Sequence, residues 1–146
     1  HSRAELFSGA TVWLVPGRSE KIPEERVRNL WLSLGAHPRN LEAEEHDDLM
    51  ARASHVPQLV ANALASVMAQ EGLSRMDLGP GGRDMTRLAG SSPEMWRDLL
   101  EHPPGTLVPS LRSLEILLKQ IRESVEEGRV DELAELMDRT RAWWRG

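Results

Sequence analysis

Three clusters along the chain hold residue types that could bind a ligand or move a proton. The first is His46-Asp47, followed by Ser54-His55-Val56-Pro57-Gln58. A histidine can carry a proton or ligate a metal near neutral pH, and a carboxylate beside it can orient it. His46 and His55 stand roughly two and a half helical turns apart, so a straight helix does not pair them as metal ligands. The same residues also fit a solvated acidic helix start and a polar plug at a proline kink. The second cluster is Gly79-Pro80-Gly81-Gly82-Arg83-Asp84-Met85-Thr86-Arg87. Its glycines would let backbone approach a ligand closely. Arg83 and Arg87 are i and i+4, so one helix would present both on one face, where two guanidinium groups could clamp a carboxylate or a phosphate. A turn followed by a surface Arg-Asp pair fits equally well. The spacing is neither a dinucleotide fingerprint nor a P-loop. The third cluster is Ser91-Ser92-Pro93-Glu94-Met95-Trp96-Arg97-Asp98. Ser92-Pro93 suits an N-cap and first helical position, and Trp96 suits either a core or a cleft wall.

The elements that must position these clusters change character along the chain. Ala10–Val15 is a short β-branched and aromatic run ended by Pro16-Gly17 and reads as a buried strand. Pro23–Gly35 reads as a helix: Glu24 and Glu25 suit its first turn, Val27, Leu30, Trp31 and Leu34 form one apolar face, and Gly35 suits its C-cap. Ala36–Glu42 is a weak strand that Pro38 confines to an edge. From Ala43 onward the pattern is helical. Ala43–Glu71 has an acidic start and an apolar stripe, and Pro57 should kink or break it near Ser54. A glycine-rich turn at 79–82 precedes a short helix from Arg83, and a further helix runs from Pro93 to Leu100. Leu107, Leu111, Leu114, Leu118, Ile121 and Val125 follow one another at steps of 4, 3, 4, 3 and 4, a seam for another helix. Gly128 then separates this helix from a last one beginning near Val130, giving an antiparallel helical hairpin.

Bulk composition narrows the classes. A 146-residue chain with 40% hydrophobic and 28% charged residues is an ordinary globular composition. The net charge of -5 argues against nucleic acid as a partner. With no cysteine there is no disulfide framework or thiolate metal site, which suits a reducing cytoplasm. No apolar run approaches the roughly 20 residues of a membrane span, and the polar start His1–Glu5 does not read as a signal peptide.

The clusters, in this order and spacing, resemble the prephenate dehydrogenase family. The likeness rests on Leu6-Phe7-Ser8-Gly9-Ala10-Thr11 with Pro16, on His46-Asp47 and Ser54-His55-Val56-Pro57, and on Gly81-Gly82-Arg83-Asp84-Met85-Thr86-Arg87 and Met95-Trp96-Arg97-Asp98. It covers essentially the whole chain. The resemblance implies a mainly α fold: residues 1–42 as a β-α-β remnant of an NAD-binding α/β domain, and 43–146 as an all-α dimerisation and substrate-side domain. It implies a homodimeric enzyme, active in the cleft between its domains, that oxidatively decarboxylates prephenate to 4-hydroxyphenylpyruvate with NAD(P)+ in tyrosine biosynthesis. Arogenate is the alternative substrate.

Carried over residue by residue, the resemblance makes Arg87 the arginine that binds a substrate carboxylate. Arg83 and Asp84 match an ionic network at the cleft, partly completed across the dimer. His55 lies in the substrate-side helix break, and Trp96 matches a cleft-lining aromatic. Gln58 stands where a substrate-contacting histidine is common, and Gly82 where an aromatic residue is usual. The glycine-rich nucleotide loop and the catalytic histidine are expected upstream of residue 1. The fragment alone is therefore expected to hold no catalytic, cofactor-binding or metal-binding residues and to be inactive. A cytoplasmic location follows from the same likeness. Two other classes compete: a stand-alone non-catalytic dimerisation or ligand-sensing module, and a metal-dependent phosphohydrolase suggested by His46-Asp47 but lacking further ligands at suitable spacing.

Overall fold

The computed structural model describes residues 5–17 and 23–146. Of the polar start expected at His1–Glu5, only Glu5 falls among them, and the segment between the first strand and helix is described only at its ends. Strand β1 (Thr11–Leu14), helix α1 (Glu24–Ser33) and strand β2 (His37–Asn40) form the expected β-α-β piece. The strands pair in parallel, with Thr11 opposite His37 and Leu14 opposite Asn40. The reversal from α1 into β2 requires a left-handed residue, and Gly35 supplies it at φ 78°. The Ala36 amide then returns to the Trp31 carbonyl at 3.1 Å, closing the helix end. Arg28 ties α1 to β2 by donating to the Pro38 carbonyl at 3.1 Å, and within α1 it donates to Glu24 at 3.1 Å. Trp31 packs edge-on against Phe7, ring centres 5.2 Å apart.

Helix α2 (Ala43–Met50) opens with a capping box between Glu42 and Glu45, which satisfies amides that no carbonyl could reach. The expected break at Pro57 takes another form. Residues Ala51–His55 make a π-helical turn that runs directly into α3 (Val56–Gln70), with helical dihedrals maintained through Ala51, His55 and Val56. The Val56 amide reaches back to the Ala51 carbonyl, one residue further than in an α-helix. Proline has no N–H and its ring crowds the carbonyl four residues earlier. Widening the turn accommodates both without ending the helix.

The glycine-rich segment also differs from the expectation. Helix α4 spans Pro80–Met85, so Gly81 and Gly82 are helical, and a 3-10 turn, Arg87–Gly90, follows. Pro80 is favourable in a first turn, which starts the helix earlier than the glycines suggest. Helix α5 (Pro93–Glu101) begins where Ser92-Pro93 placed it. The Ser92 hydroxyl, however, hydrogen-bonds the Glu94 carboxylate and caps no backbone amide.

Contacts divide the chain into two compact units, His1–Pro104 and Gly105–Gly146. The 42/43 junction expected from the sequence marks a change of secondary structure and falls elsewhere than this division. The second unit is the helical hairpin, α6 (Leu107–Glu126) and α7 (Val130–Arg145). Its turn is fixed by a polar cluster that the sequence did not reveal. Buried Ser124 donates to Glu132 at 3.0 Å, and the Arg129 Nε donates to the same carboxylate at 2.9 Å. Gly128 makes the reversal at φ 67°, and the Arg129 amide closes on the Ser124 carbonyl at 2.8 Å.

A Cβ on Gly128 would meet nothing within 4 Å, so Gly128→Ala changes only the backbone preference. We expect that substitution to cost about 1 kcal/mol, the penalty of a left-handed alanine, and to lower the melting midpoint followed by far-ultraviolet circular dichroism. An unchanged midpoint would mean that the turn does not hold this conformation.

Candidate functional site

The π-turn, the start of α3, the 3-10 turn and α5 bring the three sequence clusters partly together. His55 ends the π-turn and is 7% exposed; Gln58, one turn further along, is 3% exposed. The Trp96 ring from α5 meets the His55 ring edge-on, with centres 5.6 Å apart and planes at 88°. Among the described residues, His55 Nδ1 and Trp96 Nε1 are buried without a hydrogen-bond partner. A buried polar atom without a partner is costly, roughly 1–3 kcal/mol, and both of these lie on the His55–Trp96 ring pair. Gln58, Asn62, Ser91, Trp96 and Arg97 are among the residues around an adjoining open cavity of about 310 Å³.

Both ends of the Gln58 amide are engaged. Its Nε2 donates to the Leu88 carbonyl at 2.7 Å, and its Oε1 accepts from the Ser91 hydroxyl at 3.2 Å. One N–H and one lone pair remain on the amide for anything else. Ser91 carried no chemistry in the sequence reading beyond its neighbour's capping role. A contact across |i−j| = 33 leaves no local signature.

Arg87 is exposed and opens the 3-10 turn whose next carbonyl Gln58 holds. Among the described residues it makes no hydrogen bond or ion pair with another side chain. Arg83 lies on α4, which stops at Met85, so the two arginines do not share one helical face as the i, i+4 spacing suggested. Thr86 breaks the continuity: its hydroxyl turns back to the Gly82 carbonyl at 2.8 Å, and its ψ of 1° leaves the α-helical range. Arg83 makes a long contact of 3.4 Å to the Met76 carbonyl. It forms no ion pair with Asp84 among the described residues, and both side chains are exposed. On α2, His46 Nδ1 lies 3.3 Å from Asp47 Oδ1. Among the described residues no three His, Asp or Glu side chains come together to hold a metal ion.

The sequence model described as "Prephenate dehydrogenase, dimerization domain" matches residues 42–139, well over half of the chain. The chain belongs to the prephenate dehydrogenase family. It is 35% identical over 128 residues to a prephenate dehydrogenase of Bacillus subtilis (strain 168), covering 84% of this chain and 34% of that protein. It is 31% identical over 140 residues to a cyclohexadienyl dehydrogenase of Zymomonas mobilis, covering 90% of this chain and 47% of that protein. The crystal structure of Synechocystis arogenate dehydrogenase is similar in fold, with a TM-score of 0.72 and 25% identity over 94% of this chain and 52% of that one. The chain thus spans about half, or less, of the relatives it matches.

The start of α1 is not built to hold the pyrophosphate of the dinucleotide that such a family implies. The first turn of α1, after β1, carries Glu24 and Glu25, whose charge opposes a pyrophosphate. Gly81 and Gly82 lie inside α4, and a Cβ on Gly82 would meet Leu78 at 3.3 Å, so packing accounts for that glycine. No helix of the described residues is long and apolar enough to cross a membrane.

Within this family member, His55 carries its own test. Burial pushes its pKa below the ordinary value of 6.5; the Asp47 charge acts in the opposite direction, and His46 adds to the lowering. The unfolded chain therefore binds a proton at His55 at a pH where the folded chain does not. Its contribution to stability is fully present above pH 6.5 and is lost as pH falls through the lower folded value. Nuclear magnetic resonance titration should show the His55 ring, assigned by its loss in His55→Gln, titrating below the ordinary value of 6.5. A midpoint at or above 6.5 for that ring would contradict the burial described here.

Proposed function

We propose that this chain is the substrate-binding and dimer-forming part of an enzyme that oxidatively decarboxylates prephenate, or its amino counterpart arogenate. The hydride acceptor NAD(P)+ and the catalytic base would be bound by residues outside those described. The observation that carries the reading is Arg87: an exposed guanidinium, unpaired among the described residues, on a turn fastened to the buried end of α3. Prephenate carries two carboxylates, and a planar arginine fork matches a carboxylate with two parallel hydrogen bonds. His55 and Trp96 would line the cleft with edges that still have polar capacity, beside Gln58. Arg83 and Asp84, unpaired with each other, would complete an ionic network with a second copy. Residues 1–42 would then be the end of a nucleotide-binding domain and 43–146 the dimerisation domain, in keeping with a family match that starts at residue 42. A cytoplasmic biosynthetic role goes with this reading.

The nicotinamide, when bound, accepts a hydride; these residues bind the substrate, orient it and keep water from the reacting face. A clamp of this kind contributes roughly 1.5–3 kcal/mol per charge-assisted bond in a partly desolvated site. In the full-length enzyme Arg87→Ala should raise the KM for prephenate by about one to two orders of magnitude and leave the KM for NAD+ nearly unchanged. Arg87→Lys should recover only part of the loss, since it keeps the charge without the fork. An unchanged prephenate KM with a lower melting temperature would make Arg87 a structural residue.

Dimer formation is supported by the hairpin's surface. Ile116, Leu118, Val125 and Met137 are each more than half exposed, and Trp143 and Trp144 are 82% and 79% exposed. Exposed apolar residues in this density are typical of an obligate partner surface. Light scattering at micromolar concentration should give twice the 16.4 kDa of one chain, and a clean monomer would exclude the dimer reading.

A further inference from the structure

We infer that Gln58 is a positioning residue that holds the Arg87–Gly90 turn and thereby sets the direction in which Arg87 projects. The inference rests on the proposed role of Arg87 and gives Gln58 a task other than contacting substrate.

The geometry is a closed buckle. The Leu88 carbonyl accepts from Gln58 Nε2 at 2.7 Å and from the Ser91 amide at 3.0 Å. The Ser91 hydroxyl completes the ring by donating to Gln58 Oε1 at 3.2 Å. One amide side chain thus grips the turn at the residue after Arg87 and at the residue that ends it. The amide can sit only one way round: turned over, its oxygen would face the Leu88 carbonyl oxygen, acceptor against acceptor. Gln58 is also well placed to act as an anchor, because it is 3% exposed on the continuous helix that the π-turn feeds. Arg87 has no such support of its own among the described residues. A four-residue 3-10 turn is held by few internal bonds, so losing an outside clamp should free the guanidinium to sample several directions.

A glutamine acting by donation to the substrate would instead make its own contribution to binding, independent of Arg87. A double-mutant cycle separates the two. In the full-length dimeric enzyme, Gln58→Met keeps the length and volume of the side chain and removes both hydrogen bonds. It should raise the prephenate KM about tenfold, leave the KM for NAD+ unmoved, and add less than about twofold once Arg87 is already alanine. Ser91→Ala, the milder variant, should raise the same KM about threefold and likewise add nothing to Arg87→Ala. Hydrogen exchange at the Ser91 amide should quicken at least tenfold in Gln58→Met, roughly the loss of one clamp, while amides of α6 keep their rates. KM effects that multiply in the double variant would overturn the inference in favour of a direct ligand. Unchanged exchange at Ser91, with the Arg87→Ala effect intact, would overturn it alone. An Arg87→Ala enzyme with normal KM would instead sink the carboxylate-site reading and take the positioning role with it.

Discussion

The missing N–H of Pro57 shapes everything around the candidate site. A regular helix through this residue would lose one hydrogen bond and drive the pyrrolidine ring into the preceding turn, a conflict of roughly 3 kcal/mol. The chain resolves it by widening Ala51–His55 into a π-turn, so that α2 and α3 remain one continuous path. His55 and Gln58, three residues apart at the start of α3, share its buried side. His55 then meets Trp96, and Gln58 reaches Leu88 and Ser91. The arginine turn is tied to the helix by that reach.

The same local economy explains why the chain leaves so much unsatisfied. Among the described residues no large side chain is fully buried, and the buried apolar set is Leu14, Ala36, Ala51, Ala61 and Leu107. Single cores this small rarely stabilise a domain without a partner. A small core fits a family whose matched model is a dimerization domain.

Much of this was legible in the sequence because it follows from local rules. The β-α-β piece, the helix starts at Pro23 and Pro93, and the two-helix hairpin ending at Gly128 are read from periodicity and cap residues. The family motifs around His55, Arg87 and Trp96 were visible as well. Local rules fell short where two of them compete. Gly81-Gly82 reads as a turn, yet Pro80 nucleates a helix through them, and Thr86 then ends that helix before Arg87 can join it. Proline at position 57 reads as a break, yet a wider turn costs less than a lost helix end. The Gln58–Leu88–Ser91 buckle and the Ser124–Arg129–Glu132 cluster depend on side chains meeting across space, for which spacing along a chain gives no signal.

In the proposed role, the buckled turn presents Arg87 to a substrate carboxylate. A crystal structure of the full-length dimer with NAD+ and 4-hydroxyphenylpyruvate tests it most directly. The product carboxylate should lie within hydrogen-bond distance of the Arg87 guanidinium, with Gln58 still bonded to Leu88 and Ser91. A carboxylate held elsewhere, with Arg87 paired to an acidic side chain, would contradict it.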